Sequence, residues 1–138
     1  MQTLLLYLLL LAQPVDVAQK APVAQTPPID WEDYESVSMI QLISTPQNFE
    51  GRKVRLYGFA RMRFEDFGVY LTRDDMEHGN GKNGLWLGLG RDPKAKKLDG
   101  HYVLVFGVFT AKDKGHKGAN SGALDYITRL EEIPTRTK

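Results

Sequence analysis

Between Lys53 and Phe64 the chain alternates. Val54, Leu56, Gly58, Ala60, Met62 and Phe64 fall on one side. Lys53, Arg55, Tyr57, Phe59, Arg61 and Arg63 fall on the other. A period of two predicts a long strand with one buried face and one basic-aromatic face. Gly58, at its middle, marks a place where it can bend sharply. Four further strands follow. Phe67–Arg73 sets Phe67, Val69 and Leu71 against Gly68, Tyr70 and Thr72. Leu85–Gly90 turns Leu85, Leu87 and Leu89 inward and Trp86 outward. Tyr102–Ala111 is apolar on both sides, which predicts a central strand. Ala123–Ile133 fits either a helix or a strand, and its β-branched and aromatic content favours a strand.

Ahead of these strands, Ser36–Gly51 holds one short helix. Val37, Ile40 and Leu42 or Ile43 recur at helical spacing, Ser36 or Ser38 can cap its start, and Pro46 stops it near Ser44. "RDPKAKKLDGH" (residues 91–101) is polar and holds at most a turn or two of helix. The result is a mainly β domain: five strands forming a small closed or partly open barrel, with a short N-terminal helix. Closure would remove the exposed strand edges.

"IQLISTPQNFEGRKVRLYGFA" combines a helix, a P-x-x-F-x-G turn and a strand with a glycine. It resembles the opening of small bacterial OB-fold domains of the exported, mostly uncharacterised type. "YVLVFGVFTAKDKGHKGANSGALDYITRLEEI" resembles their last two strands. The resemblance spans about Val37–Ile133 and implies the fold. It brings no catalytic residues. One departure is the helix such domains carry between the third and fourth strands, for which residues 91–100 leave little room.

Composition narrows the partners. The chain has 138 residues, room for one domain, and a formal net charge of +1. That balance argues against bulk nucleic-acid binding, which neutralises several phosphates at once. With no cysteine, disulfides, zinc–thiolate sites and thiol catalysis are excluded. The apolar run Leu4–Ala12 is too short to cross a bilayer but suits the core of a secretory signal. We expect a signal peptide over 1–18, a Pro/Ala-rich linker over 19–29 and the folded domain over 30–138, in a periplasmic or secreted protein.

Two stretches could carry binding. Aromatics between cations on Lys53, Arg55, Tyr57, Phe59, Arg61 and Arg63 could stack rings and hold anions. The same pattern also fits a solvated strand face whose guanidiniums pair with Glu50, Glu65 and Asp66. The loop "KDKGHKGANSGAL" (residues 112–124) adds Lys112, Lys114, His116 and Lys117, with Gly115, Gly118 and Gly122, and the outward Trp86 joins these candidates. It lacks P-loop spacing, so it is either a ligand rim or a plain connection between strands.

Asp74, Asp75, Glu77 and Asn80 do not match a calcium loop, and Asp74 or Asp75 suits a helix cap. His78, His101 and His116 lack metal-site spacing, and Ser121 lacks a nucleophile motif. The expectation is a binding module with no catalysis, no cofactor and no metal. Its ligand is a protein partner or an anionic polymer at the bacterial envelope. The alternative is an intracellular protein that binds single-stranded nucleic acid.

Overall fold

The computed structural model describes residues 30–90 and 92–137. The predicted signal peptide and linker lie outside the described residues. The chain forms six strands: β1 (Glu35–Ser36), β2 (Lys53–Arg63), β3 (Asp66–Tyr70), β4 (Gly84–Leu87), β5 (Tyr102–Thr110) and β6 (Ala123–Glu132). Two short helices, α1 (Met39–Ser44) and α2 (Arg73–Glu77), interrupt them. Among the described residues, no helix is long and apolar enough to cross a membrane.

α1 starts at Ser38, whose hydroxyl accepts from the Gln41 amide while the Gln41 side chain accepts from the Ser38 amide. This reciprocal cap satisfies two otherwise orphaned donors. The helix ends before Pro46, as expected. Its buried residues are Met39 and Leu42, whereas Ile40 is 61% exposed. The predicted stripe through Ile40 is therefore corrected. With Ser38 as the cap, Met39 becomes the first helical residue and turns inward with Leu42.

The alternation of β2 holds from Lys53 to Arg63, with Val54, Leu56, Gly58, Ala60 and Met62 buried. Phe64, assigned to the same inward set, lies past the strand end and is 85% exposed. β2 pairs antiparallel with β5 along Lys53–Phe59 and with β3 along Phe59–Arg63. The change of partner falls at Phe59, just after Gly58, where a Cβ would sit 2.9 Å from the Tyr70 carbonyl oxygen and 3.1 Å from the Met39 methyl. Only glycine lets the backbones approach so closely there.

β3 continues to β4, β4 pairs in parallel with β6, and β6 pairs antiparallel with β5. Since β5 returns to β2, the pairings close into a ring. β1 pairs in parallel with β2 at Val54 and Arg55, on the edge that β3 leaves free. The sequence pattern did not reveal this two-residue strand.

Inside lie Leu56, Val69, Leu85, Leu87, Val103, Phe109 and Leu124, with Met39 and Leu42 from α1. Removing each large side chain from water is worth roughly 1.5–3 kcal/mol. β3 ends at Tyr70, shorter than predicted, because Arg73 already belongs to α2, and β4 also ends early, at Leu87. Thr72, not Asp74 or Asp75, caps α2: its hydroxyl accepts from the Asp75 amide. Ala123–Glu132 is a strand, which settles the ambiguous segment. It loses register with β5 between Phe106 and Val108, and the exposed Tyr126 bulges out there at φ 49°.

Candidate ligand-binding site

At one end of the ring three connections converge. The β2–β3 turn brings Phe64 and Glu65, the β4–β5 connection brings Leu89, Gly90, Asp92, Pro93 and Lys96, and the β5–β6 loop brings Asp113, Gly115 and His116. They enclose a groove of about 970 Å³. Its floor is apolar: Met62, Phe67, Trp86 and Leu89, with the rings of Phe67 and Trp86 edge to face at 6.5 Å. Its polar lining mixes signs, with Arg63, Lys96 and His116 beside Glu65, Asp92 and Asp113.

The glycine-rich loop is shaped by this floor. Gly115 has φ +66°, and a Cβ there would lie 2.8 Å from Trp86. The loop thus lies directly on the indole. Further bonds hold it: Asp113 accepts from the Gly115 amide at 2.8 Å, and the Lys114 ammonium donates to the Ser121 carbonyl at 2.8 Å. The Ser121 hydroxyl donates to the Lys82 carbonyl at 2.7 Å. His116 Nε2 stands 3.5 Å from a Glu65 carboxylate oxygen, so two walls of the groove meet across its mouth.

Of the loop residues singled out from sequence, His116 and Gly115 reach the groove together with Trp86. Lys114 is engaged in holding the loop, and Lys112 and Lys117 do not line the groove.

The outer face of β2 divides into three zones. Lys53 and Arg55 meet the chain's own N-terminal segment: Lys53 pairs with Asp33 at 3.6 Å, and Arg55 lies 5.6 Å from the Trp31 ring. Tyr57 and Phe59 form an aromatic group with Tyr102 of β5, the two tyrosine rings stacked at 6.1 Å and 9°. Arg61 and Arg63 line a smaller cleft of about 350 Å³ with Arg73, Met76, Glu77, Asp99 and Gly100.

Arg61 is mostly covered. Its Nη2 donates to the Met76 carbonyl at 2.7 Å, and its Nε lies 3.9 Å from Asp66. Tyr70 is buried beside that pair and donates to Asp66 at 2.9 Å. Burial, together with the Asp66 carboxylate that its hydroxyl serves, pushes the Tyr70 pKa up to about 12. Asp99 is partly desolvated, which opposes ionisation. The Met62 N–H and Arg63 outweigh this and hold its carboxyl below the usual range.

Tyr102, Arg73, Phe64 and Lys96 escaped the sequence reading. Tyr102 merely opens an apolar strand, and Arg73 was assigned to a strand end. Their placement depends on pairings across the ring. Among the described residues, no three His, Asp or Glu side chains gather in a way that could hold a metal ion. No protein-family model and no curated protein matches the chain.

Proposed function

We propose that the ring is an OB-type barrel, extended by β1, and that the protein is a non-catalytic binding module of the bacterial envelope. Counting from β2, the strand order 1-2-3-5-4 returning to 1, with the third and fifth parallel, supports the barrel reading. In such barrels the loops between strands one and two and between four and five border the ligand surface. The groove lies between the equivalent connections.

One observation carries the ligand class. The groove has an aromatic, apolar floor and a rim that mixes acidic and basic side chains. That combination matches a protein segment better than a polyanion, because apolar anchors supply affinity and mixed charges supply register. The nucleic-acid alternative is less favoured, because Lys53 and Arg55 already contact Asp33 and Trp31.

The test is affinity capture with the purified protein, followed by cross-linking to locate the contact. Phe64→Glu and Lys96→Glu should abolish capture without changing the circular dichroism spectrum. Reversing Lys112 and Lys117 should leave it intact. Capture that survives Phe64→Glu, or a salt-sensitive oligonucleotide shift in place of a protein, refutes the reading. Fractionation with N-terminal sequencing tests the envelope location.

A further inference from the structure

We propose that the outer face of β2 and β5, away from the end groove, binds a sugar ring bearing one anionic group, a phosphate or a carboxylate. The platform consists of Tyr57, Phe59 and Tyr102. Tyr57 is 50% and Tyr102 39% exposed, and the Phe59 and Tyr102 ring centroids are 4.9 Å apart. Nearly parallel tyrosine rings open to solvent offer flat apolar area with a hydroxyl on each ring. That suits the C–H faces and hydroxyls of a sugar.

Cations stand at one end of this platform. The Arg73 guanidinium lies 5.4 Å from the Phe59 ring centroid, and beyond it is the cleft lined also by Arg61 and Arg63. Arg63 is tied to Asp99 at 3.1 Å, and Arg61 to the Met76 carbonyl. Arg61 also keeps a buried Nε–H that has no hydrogen-bond acceptor. Among the described residues, Arg73 has no carboxylate within ion-pair distance. It is therefore the group positioned to meet an incoming anion, with the other two guanidiniums reinforcing the field.

Acids bound the surface and limit the charge it accepts. Glu77 and Asp99 line the cleft. On the far side Glu131 pairs across to Leu104, which in turn lies opposite Tyr57. An extended polyanion would have to pass these carboxylates, whereas a single ring with its anion at Arg73 would not. The tyrosine hydroxyls also provide acceptors for sugar hydroxyls. The site shares only Arg63 with the end groove.

The experiment is an NMR titration of the purified protein with glucose 6-phosphate, glucuronic acid, glucose and inorganic phosphate in turn. One or both anionic sugars should shift the Tyr57, Tyr102 and Arg73 signals saturably. Arg73→Ala and Tyr57→Ala should each weaken that binding about tenfold or more, as expected for losing a bond to a charged group or a stacking face. Both positions are at the surface, so thermal melts should confirm intact folds, and Phe64→Glu should leave sugar binding unchanged. The proposal fails if neither anionic sugar shifts these signals, or if both variants bind like the parent. It also fails if inorganic phosphate or uncharged glucose binds as tightly as the anionic sugars.

Discussion

The guanidinium of Arg129 lies 4.1 Å from the centroid of the Trp31 ring. Arg55 approaches the same ring at 5.6 Å, and the indole stands edge-on to Phe106 at 5.0 Å. A segment preceding the ring is thus fastened onto its outer face. Tyr34 assists, packing on Phe106 and hydrogen-bonding Thr128 through its hydroxyl at 2.9 Å. This explains how Phe106 can point outward from β5 and still be fully buried. Trp31→Ala should destabilise the protein by about 1–3 kcal/mol, the sum of partial aromatic burial and cation–π contact. Chemical denaturation measures this, and a change below about 0.5 kcal/mol, the range of ordinary surface substitutions, would mean that the segment is not fastened.

Gly115 and Gly118 share the same backbone hand, φ +66° and +67°, but not the same surroundings. At Gly118 an added Cβ meets nothing closer than 4.0 Å, whereas at Gly115 it meets Trp86 at 2.8 Å. Gly118→Ala should therefore cost only backbone strain, roughly 1 kcal/mol. Gly115→Ala adds a steric term of about 1–3 kcal/mol and lifts the loop from the indole. Trp86 fluorescence should shift to the red in the Gly115 variant and not in the Gly118 variant. Equal spectra would show that the loop does not rest on Trp86.

Tyr70 should ionise late. Its folded-state pKa is about 12, against 10.0 for an unperturbed tyrosine, so the folded protein holds the phenolic proton more tightly than the unfolded chain. The resulting stability is fully present below pH 10 and is lost as pH rises toward 12. Ultraviolet difference titration should show one tyrosine whose midpoint lies well above the usual range. Asp66→Asn should bring its midpoint down by removing the neighbouring negative charge, and an unchanged midpoint would leave burial as the sole cause.

Strand periodicity made most of the ring legible. The β2 alternation identified its inward residues, and the two-sided apolar run of β5 marked a strand held on both edges. What escaped was set by contacts distant in sequence. Arg73 looked like the end of a strand, and only the Thr72 cap turns it into the first residue of a helix over Phe59. The basic-aromatic face was read as one surface. Asp33 and Trp31 cover its first two cations, and no local pattern announces that a preceding segment will fold back. In the loop at 112–124 the lysines drew attention, yet Gly115 and His116 shape the groove, because Trp86 lies beneath them.

α1 tests how finely a helical pattern can be resolved. Ile40 and Leu42 are equally apolar and only two residues apart, so composition does not distinguish them. The Ser38 cap sets the phase, leaving Leu42 fully buried among the core residues and Ile40 largely in water. Leu42→Ala should cost about 2–5 kcal/mol, combining lost transfer energy with a cavity the ring cannot fully close. Ile40→Ala should lie within about 0.5 kcal/mol of the parent, since alanine's better helix propensity offsets what little burial is lost. Thermal melts of the two variants decide the phase. A larger loss for Ile40→Ala would mean that the helix is rotated, with the sequence-predicted stripe facing the core. Ser38→Ala should weaken the protein by about 1 kcal/mol through the lost cap, independently of which apolar residue faces inward.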